Sequence, residues 1–235
     1  MKARSATLSG RGARTKGEGA AAGEAGAPPE LRKRLPFAER RRRILDEAAA
    51  FFAEYGLTAQ TRHLAEACGI SQRLLYHFFP TKAALIREVY DDAILGPFKA
   101  VWLAQLRDRS QPMEARLTAF YQDYCRTVLT RRWLRLFLYS SLAEGEMAPS
   151  YISTIVNQLT EAIVEETAAE QEVAPPADPA LVHEVGWVLH GTISHLLIRR
   201  HLYQASQEIE LDRLIALHVR SFLAGFRDSV ALARG

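Results

Sequence analysis

The sequence predicts an all-α protein. Apolar residues recur at spacings of three and four along the chain after residue 35. Alternation with a period of two, the mark of a half-buried strand, is nearly absent. Glycine and proline stand at the joints between periodic stretches, at Gly69, Pro80, Gly96-Pro97, Pro112 and Pro179.

Residues 1–35 are rich in Gly, Ala and Arg and poor in large apolar side chains, so they bury too little surface to offset ordering entropy. They are expected to form a disordered basic tail, either a solvated extension or an arm that follows phosphates or enters a neighbouring minor groove. The first helix runs from about Ala38 to Tyr55 and turns Ile44, Leu45, Ala48, Phe51 and Phe52 inward. Arg40, Arg41, Arg42 and Arg43 lie near its start. Successive helical side chains point about 100° apart, so only one or two of the four can face a single partner. A second helix carries Leu64, Ala65 and Cys68, and Gly69 ends it because glycine tolerates a positive φ. Ser71 caps a third helix, Gln72 to Phe79, with a hydroxyl that can accept from a free amide of the first turn. Leu75 and Phe79 fall on its inner side. Pro80 and Thr81 close it. The fourth helix turns Leu85, Ile86 and Val89 inward until Gly96-Pro97 breaks it before Phe98 to Leu106.

The later helices follow the same rules. Ser110-Gln111-Pro112 opens one that reaches about Leu129, with Leu117, Phe120, Tyr121, Tyr124 and Val128 on one stripe. Arg132 to Ala143 form the next, crowded with aromatic and aliphatic side chains. Pro149 is expected to precede another long helix ending near Glu170. Val173 to Ala177 form a linker, and Asp178-Pro179 starts a helix to about Arg200 with a cap and a proline. Within it Val185 to Ile198 is apolar nearly all round, which implies burial on most sides. Gly186, Gly191 and Ser194 would let another helix come close. The last helix spans about Glu210 to Ala231. The organisation is thus a tail at 1–35, a head at 36–90 and a body at 91–235.

Charge is divided along the chain. Residues 1–90 hold 16 Lys and Arg against 9 Asp and Glu, while residues 91–235 hold 14 against 18. A polyanion partner would therefore meet the N-terminal half. Cys68 and Cys125 form no disulfide framework, and the N-terminus lacks the apolar core of a secretory signal. The run Val185 to Ile198 is too short for a membrane span and is bounded by Glu184 and Arg199. The expectation is a cytoplasmic protein with no membrane partner.

The most specific stretch is TRHLAEACGISQRLLYHFFPTK, residues 61–82. Two short helices joined by a tight turn present the second helix to a DNA major groove in many regulators. The stretch resembles the DNA-binding head of the tetracycline-repressor (TetR) family of bacterial regulators. The residues that carry the resemblance are Phe52-Ala53-Glu54-Tyr55-Gly56, then Leu64-Ala65-Glu66-Ala67-Cys68-Gly69-Ile70-Ser71, then Leu75-Tyr76-His77-Phe78-Phe79-Pro80-Thr81-Lys82. Arg73 and Leu74 depart from it, standing where the family often has small residues.

The resemblance places Gln72, Arg73 and Leu74 within reach of base edges. Arginine bonds guanine O6 and N7, glutamine bonds adenine, and leucine covers a thymine methyl. Tyr76 and Lys82 match phosphate-contacting positions, and His77 lies beside them. Thr61 and Arg62 open the preceding helix, where amides and a hydroxyl suit a phosphate oxygen. With the cap Ser71 these nine residues form the expected DNA-binding set. The resemblance also implies a helical body that binds a small-molecule effector and forms a homodimer. Trp102, Phe120, Tyr124, Trp133, Phe137, Trp187 and His190 are the candidate effector wall, against the alternative that they are ordinary core. The last two helices, doubled across a twofold axis, would make the dimer interface.

Other chemistries find no pattern. His183, His190, His195 and His201 are spaced by seven, five and six, so no pair has the separation of four that places two imidazoles on one metal. Catalytic signatures and phosphate loops are absent, and no cofactor is implied. The expectation is a non-enzymatic, sequence-specific transcriptional regulator, a repressor on near-palindromic duplex DNA that an effector releases. The alternatives are an architectural DNA-binding dimer without effector response and a helical metabolite-binding protein or enzyme.

Overall fold

The computed structural model describes residues 36–143, 147–205 and 208–234. The basic tail expected at 1–35 lies outside the described residues. Among the described residues the regular structure is eleven α-helices and two π-helical turns, with no strand.

Helix α1, Phe37–Tyr55, buries Ile44, Leu45, Ala48, Phe51 and Phe52, the stripe its periodicity predicts. Helices α2, Thr61–Ala67, and α3, Gln72–Phe78, pack on it with Leu64, Ala65, Leu75 and Phe79 inward. Helix α4, Lys82–Tyr90, continues into a π turn, Asp91–Leu95. The chain then breaks at Gly96-Pro97 before α5, Val101–Leu106.

The body adds α6, Met113–Thr127, and α7, Arg131–Leu142, the latter capped by Thr130, whose hydroxyl accepts from the Trp133 amide at 3.3 Å. Helix α8, Met147–Tyr151, runs through a second π turn, Ile152–Val156, into α9, Asn157–Glu170. Pro149 therefore does not precede this helix. It is the third residue of α8, inside the first turn, where its missing donor has no intrahelical acceptor to lose. Helix α10, Pro179–His201, starts on Asp178, whose carboxylate accepts from the Ala180 amide at 2.9 Å. Helix α11, Leu211–Leu232, completes the chain and packs on α6 and α10.

Gly186 sets the spacing of α9 and α10. A β-carbon there would sit 2.5 Å from the Thr160 β-carbon, so only glycine permits this approach. Burial of α10 is less complete than its apolar sequence implies. Val188 on its outer side is 51% exposed, and Leu217 on α11 is 56% exposed.

The expected boundary near residue 90 falls where α4 meets the π turn, inside one unit spanning Pro36–Gly235. Helix α7 joins the two sides. Arg135 donates to the carbonyl of Ala53 and, at 2.7 Å, to that of Glu54, so its guanidinium caps the C-terminal end of α1. Arg131 pairs with the Glu54 carboxylate at 3.2 Å, and the Trp133 indole donates to the Ile94 carbonyl at 3.2 Å.

A buried charge network binds α6 to α9. Arg116 donates to the Leu106 carbonyl at 2.6 Å, to Glu166 at 3.2 Å and to Glu170 at 3.1 Å. Arg109 holds Glu166 through two bonds of 2.8 and 3.0 Å. The Arg109 bond is the main reason the Glu166 carboxyl titrates below the usual carboxylate range.

Candidate nucleic-acid interface

The turn between α2 and α3 is built from local rules. Gly69 takes φ +65°, and the Ile70 amide turns back to the Ala65 carbonyl at 3.0 Å, closing the end of α2. Ser71 Oγ accepts from the Leu74 amide at 3.2 Å, and Thr81 Oγ1 accepts from the Ala84 amide at 3.0 Å. Leu75, Phe78 and Phe79 face the core, which leaves Gln72, Arg73, Tyr76 and His77 on one outward face. Four side chains of differing hydrogen-bonding character thus project from a rod seven residues long, a width that a major groove accepts.

The nine expected residues do not all point outward. Arg73 and His77 are exposed, and Arg73 makes no ion pair among the described residues. Lys82 is half-buried at the start of α4 and likewise makes none. Arg62 is exposed but pairs with Glu66 at 3.1 Å, one turn along α2. Leu74 is half-buried against the core, so less of it is available for a thymine methyl than the sequence implies. Ser71 serves as the cap. Thr61 is only 7% exposed, and its hydroxyl faces inward, 3.0 Å from Gln72 Nε2 and 3.0 Å from the Tyr76 hydroxyl. The expected free hydroxyl at the start of α2 is therefore already engaged.

The arginine run divides. Arg41 pairs with Glu88 and lies 5.0 Å above the Phe79 ring. Arg42 bridges Asp46 at 3.2 Å and Asp92 at 2.5 Å. Both therefore tie α1 to α4 and the π turn, while Arg43 stays exposed. Sequence reasoning missed Phe37, whose ring packs tilted against Phe78 at 4.7 Å and meets His77 edge-on at 6.3 Å. No local signal ties Phe37 to a residue forty positions on.

The seven aromatic candidates of the body do come together. Trp102, Phe120 and Tyr124 are fully buried together, with centroids 5.3–5.9 Å apart, Trp102 meeting each of the other two edge to face. Trp102 also donates to Asp123 at 2.8 Å. Trp133 stacks on Phe137 at 4.8 Å, and both meet Tyr151. Trp187 stands half-buried and edge-on to His190, whose Nδ1 lies 3.4 Å from the Tyr121 hydroxyl. Burial lowers the His190 imidazole to about 4, and it raises the Tyr151 phenol to about 12. Tyr121 and Tyr151 belong to this cluster although neither was in the expected effector set. A separate gap of only about 10 Å³ lies between α4, α7 and α8, lined by Leu57, Ile86, Val89, Tyr90, Leu136 and Met147, none of them in the expected effector set. Among the described residues no group of three or more His, Cys, Asp or Glu is placed to hold a metal ion, and no helix is long and apolar enough to cross a membrane.

The fold and the capped α2–α3 pair define a helix-turn-helix protein with a helical body. Residues 44–89 match the family of bacterial regulatory proteins called the tetR family. The HTH-type transcriptional repressor KstR2 of Rhodococcus jostii (strain RHA1) is 37% identical over 87 residues. That match covers 35% of this chain and 42% of the repressor. A TetR-like transcriptional regulator from Rhodococcus sp. RHA1 shares the fold with a TM-score of 0.61 at 19% identity, over 83% of this chain and 99% of that one. The fatty acid degradation regulator FadR from Bacillus halodurans does so with a TM-score of 0.57 at 19% identity, over 83% and 99%.

Proposed function

We propose that this protein is a homodimeric, sequence-specific transcriptional regulator, a repressor on near-palindromic duplex DNA that a small-molecule effector releases. The observation that carries the reading is the outward face of α3, where Gln72, Arg73, Tyr76 and His77 stand clear while Leu75, Phe78 and Phe79 anchor the helix. Arg73 and Gln72 read base edges, and Lys82, Tyr76, His77 and the start of α2 hold the phosphates. The repressor named above supports the sign of regulation, and its matched segment includes no more than part of this chain. The exposed Val188 and Leu217 support an isologous contact through α10 and α11. Two heads on a twofold axis then face successive major grooves. A cytoplasmic location and a division of labour between residues 36–90 and 91–235 belong to the same proposal.

Effector control requires a ligand that prefers one head spacing over another. Helix α7 touches both the aromatic cluster and the end of α1, so it offers a route for that preference beside the break at Gly96-Pro97. The closed packing of Trp102, Phe120 and Tyr124 favours the second reading, an architectural dimer without effector response. Selection of bound fragments from random duplex DNA tests both. Recovery of a dyad-symmetric site supports the regulator, recovery without base preference supports the architectural dimer, and no salt-dependent binding removes both.

A further inference from the structure

Thr61 sits at the first position of α2, buried, with its one hydroxyl between two side chains of α3. Gln72 Nε2 donates to Thr61 Oγ1 at 3.0 Å. Thr61 Oγ1 and the Tyr76 hydroxyl are 3.0 Å apart. Gln72 is exposed and belongs to the first turn of α3, where a free glutamine would sample several rotamers. The bond to a buried hydroxyl selects among them. Resting on the regulator reading above, we propose that Thr61 is a positioning residue for base recognition. It fixes the Gln72 amide with Oε1 turned outward and couples it to Tyr76.

Gln72 donates to Thr61, and either hydroxyl of the Thr61–Tyr76 pair can donate to the other. In the proposed arrangement Thr61 donates to the Tyr76 oxygen, which leaves the Tyr76 proton to donate outward to a phosphate oxygen. Each donor in such a chain polarises the next. A base contact and a backbone contact are thus set by one buried hydroxyl that touches neither. Oε1 presents an acceptor to the groove, which suits an exposed amino group of adenine or cytosine and not the O6 and N7 acceptors of guanine. Fixing the side chain in advance also lowers the rotamer entropy lost on binding.

The test compares base-preference profiles of the full-length protein, obtained by selection from random duplex DNA. Gln72→Ala identifies the operator position that Gln72 reads. Thr61→Val keeps the shape of the side chain and removes the hydroxyl. It should lower discrimination at that same position roughly tenfold and leave the position read by Arg73 unchanged. The double variant should lose no more than Gln72→Ala alone. Thr61→Ser keeps the hydroxyl and should retain the wild-type profile, and thermal unfolding checks that each variant folds. A Thr61→Val profile with wild-type discrimination at the Gln72 position, whether or not affinity falls uniformly across all sequences, would overturn the positioning role. If Thr61→Val fails to fold, a Thr61→Ser profile that loses the Gln72 position overturns it, and a retained profile supports it. Wild-type protein that retains no duplex overturns the regulator reading and this inference with it.

Discussion

Tyr76 and Tyr124 are the same side chain in two settings. Tyr76 on α3 is 37% exposed, whereas Tyr124 on α6 is fully buried beside Trp102, Phe120 and His190. Burial lifts the Tyr124 phenol well above its ordinary range. The difference lies in coverage. Helix α3 is seven residues long, packs against α2 and meets α1 through Phe37 and Phe78, so Gln72, Arg73, Tyr76 and His77 stay available to a partner. Helix α6 is fifteen residues long and is enclosed by α5, α9 and α11, so its aromatics meet one another. An exposed ring with a polar tip serves recognition, and an enclosed one serves packing.

The contrast breaks first at Trp102. If the cluster is packed core, Trp102→Ala should cost about 3–5 kcal/mol of unfolding free energy in urea titrations. A loss below about 1 kcal/mol would place Trp102 on the wall of an open pocket instead. The same variant should leave the base-preference profile of any folded protein unchanged.

Acid sharpens the contrast next. The unfolded chain protonates His190 near 6.5, the folded chain only at about 4. Between those values the unfolded state holds more protons, so stability falls as pH drops from about 6.5 to about 4. The expected loss is roughly 3 kcal/mol. His190→Phe should flatten that part of the profile of unfolding midpoint against pH, and an unaltered slope would assign the acid sensitivity to other groups. Glu166 acts in the same direction at lower pH. Its folded carboxyl is depressed, so its contribution is full above the ordinary carboxylate range and disappears below it.

Smaller effects belong to the exposed face. Arg73→Ala should relax preference at one operator position by about 1–3 kcal/mol, read as relative affinities of single-base variants, with the unfolding free energy unchanged. Lys82→Ala should weaken every sequence about equally and reduce the slope of log affinity against log salt by about 0.9. An unchanged slope would show that Lys82 touches no phosphate.

The head was legible because its signals act over short distances. Gly69, Ser71, Pro80 and Thr81 each govern a backbone group within a few residues, and helical spacing alone puts Leu75 opposite Arg73. The joint at Gly96-Pro97 was legible for the same reason, although the π turn before it was not.

What the linear order determined, then, is where helices begin and end and which stripe of each is apolar, because backbone geometry and local hydrogen bonding depend on near neighbours. The tertiary structure alone decided which far residue completes each polar group. Thr61 met Tyr76 and Gln72, Arg41 met Glu88, Arg135 met the end of α1, and Arg116 met Glu166. A hydroxyl or guanidinium carries no mark of its eventual partner, since that choice is made only when separate helices are brought into contact and buried donors are matched to acceptors.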